Sequence, residues 1–276
     1  MNQALRQVAA VIRLELKKTF FSRRGWWVYL LALAPLGLTL MHSLIEVRLQ
    51  AMGRRAHTVA QDTEIFAVMF QLYFLRLAIF FGCVGVFMNL FRVEMLEKTL
   101  HYYFLTPMRR ELLVLGKYLT GISVALVLFV LSVIASFYLL GRHQGVAWSE
   151  FLSHGAGLSQ MGSYALIAAL ACVGYGAIFL VAGLFIRNPM IPAAVVWVWE
   201  NLNPFLPGLL KKISVIFYLK SLAPVSVPVP PPLSLLVVDT DPTPAWLAIP
   251  GLLLVALAVL TCAAISARRA EISYGE

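Results

Sequence analysis

The chain has 276 residues, of which 61% are hydrophobic and only 13% are charged, and its mean hydropathy is +0.83. A water-soluble domain of this length cannot bury so much apolar surface, so the composition predicts an all-α polytopic membrane protein. The net charge of +9 does not indicate a nucleic-acid partner, because the lysines and arginines of a membrane protein collect in the loops on one side of the bilayer.

Residues 1–24 are expected to form a cytoplasmic interfacial segment, with an amphipathic helix over 3–22. One face of this helix is apolar, and its basic side chains lie mainly elsewhere around it. The apolar positions include Leu5, Val8, Ile12 and Leu16. A solvated basic tail is the alternative, but it does not explain the sustained apolar stripe. The apolar run after Arg24 has the length of a span and no small-residue cleavage site, so we expect no cleaved signal peptide.

Six apolar stretches are predicted to be membrane spans, since a span needs about 20 apolar residues. They cover about 26–45, 65–91, 118–140, 162–186, 190–204 and 246–265, with polar loops at 46–64 and 142–160. Pro35 is tolerable in the first span where neighbouring helices bond the carbonyl that it frees. The three cysteines fall in separate apolar stretches without a CxxC pair, so we expect small core residues.

The segment 205–245 is apolar, but Lys211, Lys212 and Lys220 interrupt it, and a run of prolines excludes a regular helix beyond Pro224. We expect one or two short re-entrant or interfacial helices followed by a proline-rich strap. With both termini on one side, the count of lysine and arginine is 14 on that side against 7 on the other, with Arg76 inside the membrane. The termini and the segment 92–119 are therefore predicted to be cytoplasmic.

The segment 92–119 is charged and has a helical pattern, although it lies between two long apolar runs. Glu94, Glu97, Lys98 and His101 share one face of the predicted helix. A break is predicted at Thr106-Pro107, where the threonine can cap a second helix. A solvated loop face is the simpler interpretation of these charges. The break favours docking to a soluble partner, because it holds the charged face close to the membrane.

This segment resembles the region between the second and third spans of type-2 ABC-transporter permeases. The resemblance is carried by Glu94, Glu97, Thr99-Leu100, Leu105-Thr106-Pro107, Arg110 and Leu115-Gly116-Lys117. It implies that residues 92–114 are a coupling segment, and that Glu94, Glu97, Lys98, His101 and Arg110 dock to a separate ATP-binding cassette subunit. It also implies an N-terminal elbow helix, six spans in one domain over 1–276, an external re-entrant segment and a second permease copy. Homodimer and heterodimer stay open.

No motif for catalysis or for a bound cofactor occurs in the sequence. The patterns G-x-x-x-x-G-K-[ST], H-E-x-x-H and G-x-S-x-G are all missing, and the histidines at 42, 57, 101, 143 and 154 are scattered along the chain. We therefore expect no enzyme activity, no catalytic residue, no metal site and no cofactor in this chain. ATP and Mg²⁺ are expected on the partner subunit.

Arg76 and Glu200 fall near the middle of the second and fifth predicted spans. An unpaired arginine at that depth costs about 2.5–3.5 kcal/mol even on lenient insertion scales. We therefore expect the two side chains to pair or to share a polar cavity, and exchanging their charges should restore folding if they pair. The resemblance implies that these spans line a transport route. A purely structural salt bridge between packed helices is the alternative.

The expected function is a permease subunit of an ABC transporter that exports a substrate with ATP hydrolysed by its partner, in a prokaryotic cytoplasmic membrane. One alternative is an ion-coupled secondary transporter that uses Arg76 and Glu200, although no internal repeat supports it. A membrane scaffold without transport activity is another. The substrate stays open, because exporters of lipids, glycans, peptides, drugs and ions share this architecture.

Overall fold

The computed structural model describes the greater part of the chain, and every regular element in that part is a helix. The described residues are 3–20, 25–54, 57–96, 110–186, 188, 190–227 and 243–269. The all-α prediction is confirmed for these residues, and no strand occurs among them.

Twelve α-helices form the described structure. The first six are α1 (Gln3–Phe20), α2 (Trp26–Ala51), α3 (Val59–Met69), α4 (Phe80–Leu96), α5 (Arg110–Ala125) and α6 (Leu131–Leu140). The other six are α7 (Val146–Ser153), α8 (Gly157–Phe185), α9 (Met190–Leu202), α10 (Gly208–Lys211), α11 (Val215–Ser221) and α12 (Ala245–Arg269). Two π-helical segments, Phe70–Ile79 and Leu126–Val130, join α3 to α4 and α5 to α6, so each of these pairs forms one continuous rod.

Five of these helices or helical rods are long and apolar enough to cross a membrane: Trp26–Ala51, Val59–Arg92, Arg110–Gln144, Gly157–Phe185 and Ala245–Ile265. They correspond to the first four predicted spans and the last one. The predicted fifth span forms α9, which has 13 residues and is shorter than the usual span length of about 17–25 residues. The structure therefore supports a multi-pass membrane protein with five candidate spans.

The two long loops expected at 46–64 and 142–160 are largely helical instead. The first is shortened from both sides, because α2 continues to Ala51 and α3 already begins at Val59. Thr58 and Gln61 form a capping box, in which each side chain bonds the backbone N–H of the other residue. The second loop contains a short 3₁₀ turn, Arg142–Gln144, followed by α7.

The core lies between α4, α5 and α8, where small residues let the helices approach closely. Phe87 of α4 packs against Gly121 and Gly176, and a Cβ atom at either glycine would lie 2.5 Å from its ring. A Cβ atom at Gly183 would likewise lie 2.8 Å from the Cα atom of Met88. Cysteines divide into two groups: Cys83 and Cys172 are buried as expected, whereas Cys262 is exposed.

Pro35 lies inside α2, and neighbouring helices bond the backbone carbonyls around it. A proline has no N–H for the carbonyl four residues earlier, which here belongs to Leu31. The hydroxyl of Tyr73 donates to this Leu31 carbonyl at 3.3 Å. Ser132 of α6 donates to the next carbonyl, that of Ala32. Within α2, Thr39 donates to the carbonyl of Pro35 at 2.9 Å. The expectation that other helices satisfy the carbonyl freed by Pro35 is confirmed.

Candidate functional site

The residues predicted to dock a partner lie at the junction of α4 and α5. Glu97, Lys98 and His101 fall outside the described residues, as does the predicted break at Thr106-Pro107. Glu94 belongs to α4 by its backbone. Arg110 is the first residue of α5, and its side chain is half-buried. The structure thus places a helix on either side of 97–109 and leaves the predicted coupling helix untested.

A buried ion pair joins α1 to the first turns of α5. The ammonium of Lys117 donates to Glu15 Oε1 at 3.0 Å and to the Leu90 carbonyl at 2.6 Å, and it lies 5.1 Å from the centre of the Phe91 ring. The Lys117 side chain is fully buried, and the Glu15 side chain is only 4% exposed. The ammonium therefore has a carboxylate, a carbonyl and a ring face as partners, which compensates its loss of hydration. We call this region the Lys117 end of the molecule.

Gly116 explains how α1 can come so close. A Cβ atom at Gly116 would lie 2.8 Å from Cγ1 of Val11 and 3.0 Å from its Cβ. Real side chains do not approach so closely, so any larger residue would push α1 away from α5. The adjacent Gly116 and Lys117 therefore act together: the glycine permits contact and the lysine supplies the ion pair. The sequence pattern singled out both residues but did not show that α1 was their partner.

Arg76 lies in the π-helical segment and reaches α9. Its Nη1 donates to Oδ1 of Asn201 at 2.8 Å, and the Asn201 amide nitrogen donates to the Trp197 carbonyl, which fixes the orientation of the amide. The Nε of Arg76 is buried and has no hydrogen-bond partner among the described residues. The arginine thus bonds the neighbour of Glu200 in the sequence.

Glu200 accepts hydrogen bonds at the start of α11. Its Oε2 accepts from the Ser214 hydroxyl at 2.7 Å, the Ile216 N–H at 2.9 Å and the Tyr175 hydroxyl at 3.3 Å. Its Oε1 accepts from the Val215 N–H at 3.0 Å. The carboxylate therefore satisfies backbone donors at a helix N-terminus, which otherwise have no intrahelical partner. It ties α9 and α8 to the segment that leads into α11.

The predicted pairing of Arg76 with Glu200 is not seen as a direct contact. In the described part of the chain, no ion pair within 4.0 Å joins the two side chains, although they lie in one neighbourhood through Asn201. Lys220 belongs to the same region. Burial, together with the positive charges of Arg76 and Lys211, lowers its pKa to about 8. The neighbourhood therefore carries positive charge as well as the buried carboxylate.

Next to this network, α8 and α9 leave an open apolar groove of about 610 Å³. Its walls include Ile178, Trp199, Glu200 and Ile213. The groove exists because only Pro192, Ala193 and Glu200 of α9 are buried. The outward face of α9 is apolar, and its exposed large side chains are Met190, Ile191, Val195, Trp197, Val198 and Leu202.

Three of the five histidines that are scattered in the sequence lie together at the opposite end of the bundle. His42 and His143 both contact the buried carboxylate of Asp62, and the ring of His57 stacks on that of His42. We call this region the Asp62 end. Sequence analysis missed it, because its members come from α2, the α2–α3 connection, α3 and the 3₁₀ turn, and only the packing of these elements brings them together.

Comparison with known proteins adds no relative. No family model matches the chain, and a search of curated proteins finds no match.

Proposed function

We propose that this chain is the membrane permease subunit of an ABC transporter and exports its substrate. The observation that carries the proposal is the buried junction of α1 with α5, which directly follows the charged segment 92–114. The Glu15–Lys117 pair and the close contact of Gly116 with Val11 make α1 and α5 one mechanical unit. A force applied to the segment 92–114 would therefore move α1 together with the rod that α5 begins.

The remaining parts of the arrangement follow from this assignment. The α1 helix is the elbow helix on the cytoplasmic membrane surface. The rods on either side of 97–109 are the second and third spans. In this proposal, α9 is a short fifth span whose exposed apolar face meets lipid or a second permease copy. The short helices α10 and α11 then form the external re-entrant segment, which Glu200 attaches to α9.

The ion-coupled alternative receives less support from the contacts of Glu200. A carboxylate that carries ions or protons must exchange partners during transport. Both oxygens of Glu200 accept hydrogen bonds, and two of these bonds come from the backbone N–H groups that begin α11. Protonation would weaken each of these bonds, because the protonated carboxyl is a poorer acceptor. Glu200 is therefore better suited to hold α9 and α11 together than to carry ions.

The proposal is tested by co-purification with an ATP-binding cassette subunit, sought first among the genes adjacent to the one that encodes this chain. The wild type and Glu94→Lys/Glu97→Lys are solubilised in the same detergent, and the bound subunit and its ATP hydrolysis are measured. We expect a stable complex with the wild type and loss of the complex with the double variant, because two reversed charges would face the docking cleft.

Glu64→Lys/Glu150→Lys is the matched control, because it reverses two exposed carboxylates at the other end of the bundle. This control should bind the ATP-binding subunit as the wild type does. If the folded wild type binds no ATP-binding subunit, the permease proposal is wrong. If both double variants lose binding equally, charge at 94 and 97 does not mediate docking.

A further inference from the structure

The Asp62 end contains a cluster of imidazoles and carboxylates that the transport proposal does not use. Asp62 lies in the first turn of α3 and is fully buried. His42 Nε2 lies 3.3 Å from its Oδ1, and His143 Nε2 lies 3.5 Å from its Oδ2. Gln144 donates a hydrogen bond to Oδ2. Among the described residues, no lysine or arginine forms an ion pair with Asp62.

The tautomer of His143 is decided by its other ring nitrogen. Nδ1 lies 3.0 Å from the Leu140 carbonyl, and because a carbonyl can only accept, Nδ1 must carry the hydrogen. A neutral His143 then directs the lone pair of Nε2 toward the carboxylate of Asp62. The His143 side chain is fully buried, and its Nε2 has no hydrogen-bond partner within the part of the chain that the structure describes. Two acceptors would then face each other, and either a proton on Nε2 or a metal ion between the two atoms would resolve this arrangement.

In His57, as in His143, one ring nitrogen contacts an acceptor outside the cluster, which here is a carboxylate. Its Nδ1 lies 3.0 Å from Oε1 of Glu46, and its backbone N–H donates to the other oxygen of this buried side chain. Glu46 therefore holds the Nδ1 hydrogen of His57 and leaves Nε2 as the free acceptor. Metal-binding histidines commonly donate their second N–H to a carboxylate or a backbone carbonyl, as His57 and His143 do here.

The spacing of the candidate ligand atoms suits a small tetrahedral cation. Bonds of about 2.0–2.1 Å to zinc place neighbouring ligand atoms about 3.3–3.4 Å apart. His42 Nε2 lies 3.3 Å from Oδ1 of Asp62 and His143 Nε2 lies 3.5 Å from Oδ2, so each carboxylate oxygen has one imidazole nitrogen at about this spacing. One ligand atom from each of His42, His57 and Asp62 lies within 4.8 Å of the others, so small side-chain movements would close the set.

We propose that His42, His57, Asp62 and His143 bind one divalent transition-metal ion of the zinc class. Three imidazoles and one carboxylate are ligands that zinc accepts, and Glu46 and Leu140 orient two of the imidazoles. The bound ion ties the ends of α2 and α3 to the turn that follows α6. This inference does not rest on the proposed transport function.

The surroundings of the cluster fit a bound ion on both sides. Toward the core, Phe66 lies one turn after Asp62 and packs against Phe137 and Tyr164, with ring centres 4.9 and 5.0 Å away. Trp148 extends this aromatic layer, which keeps water from reaching the site from within the bundle. On the other side, the His57 side chain is 42% exposed and leaves a path for an ion from solvent.

The test measures zinc and cobalt binding by the full-length protein, purified in detergent without a polyhistidine tag and treated with chelator. We expect the wild type to bind one zinc ion per chain. His42→Gln and Asp62→Asn should each weaken zinc binding at least tenfold. His154→Gln is the matched control, because His154 contacts Ser153 on the surface outside the cluster, and it should bind zinc as the wild type does.

A second measurement keeps the proposal falsifiable if the variants do not fold. Cobalt added to the wild type should produce the intense visible absorption of a tetrahedral site, and zinc should displace it. Zinc should also raise the temperature of unfolding, because the ion binds only the folded chain. A folded wild type that gives no such cobalt spectrum and retains no zinc would overturn the proposal. So would equal zinc binding by the wild type, His42→Gln and Asp62→Asn, since the metal would then lie elsewhere.

Discussion

The Lys117 end and the Asp62 end both bury charge, but the side chains around that charge are satisfied to different degrees. The Lys117 ammonium has a carboxylate, a carbonyl and an aromatic ring around it. At the Asp62 end, a fully buried carboxylate faces an imidazole nitrogen that has no hydrogen-bond partner among the described residues. A complete set of contacts makes a rigid joint, whereas an incomplete one leaves a place for a ligand.

The largest expected loss of stability comes from removing one of the groups that meet at Lys117. Lys117→Met removes the ammonium and leaves the carboxylate of Glu15 buried beside an apolar chain. Breaking a buried pair in this way costs about 3–5 kcal/mol, so the free energy of unfolding should fall by that amount in a denaturant titration. Glu15→Gln/Lys117→Met should recover most of the loss. A double variant that is as unstable as the single one would show that the ammonium has a more important partner than Glu15.

Both oxygens of the Glu200 carboxylate also accept hydrogen bonds, but from neutral donors. Variants of Glu200 therefore test how much stability neutral donors give to a buried carboxylate. Glu200→Ala leaves the N–H groups of Val215 and Ile216 without their acceptor, at about 1–3 kcal/mol for each group. Glu200→Gln keeps one acceptor oxygen and should lose less stability. Exchanging charges in Arg76→Glu/Glu200→Arg should not restore folding, because an arginine at 200 would face these N–H donors. Restored folding would support direct pairing of the two residues.

Gly116 allows the comparison to be tested by packing alone. Gly116→Ala places a methyl group against Val11 and should destabilise the protein by about 1–3 kcal/mol, as overpacking does. Gly37→Ala is the matched control in another apolar helix, because no atom of the described residues lies within 4 Å of a Cβ atom there. Thermal unfolding of the two variants should separate them clearly. Equal stability would mean that α1 does not pack closely on α5.

The smallest expected effect on stability comes from changing Glu46, the carboxylate that contacts Nδ1 of His57. Glu46→Gln keeps a side chain of the same shape but removes the charge that orients the imidazole. Zinc affinity should fall about 10- to 100-fold, as it does when such outer partners are changed in other metal sites. Stability without zinc should change little, which isothermal titration and thermal unfolding would show together. Unchanged zinc affinity would exclude Glu46 as an outer partner of the metal site.

The sequence predicted the parts of this fold that depend on local composition. Apolar runs in α2, α8 and α12 are long and uninterrupted, so their helices could be placed directly. The fifth span could not be placed in this way, because the stretch before Leu202 is too short to show from hydropathy alone whether it crosses the membrane. The loops at 46–64 and 142–160 were overestimated, since polar residues also form helices where a capping box or a turn begins one.

Neither end of the molecule could be predicted in the same way. Glu15 and Lys117 are 102 positions apart in the sequence, and the whole of the second and third predicted spans lies between His42 and the 3₁₀ turn that holds His143. Such contacts depend on which helices are neighbours, and one sequence does not determine that. Arg76 and Glu200 could be singled out from the sequence, because charged residues are rare within apolar runs. Their partners are an asparagine, two hydroxyl groups and backbone N–H groups, and hydropathy does not distinguish these polar groups from any other.

Pro35 has a consequence for how the chain enters the bilayer during synthesis. When α2 leaves the ribosome, the residues whose hydroxyls bond its Leu31 and Ala32 carbonyls have not yet been inserted, because Tyr73 and Ser132 belong to later helices. Hydrocarbon cannot supply a donor in their place. Helix α2 therefore reaches its final state only after the helical rods that contain Tyr73 and Ser132 have followed it. We expect α2 to remain close to the insertion machinery until then.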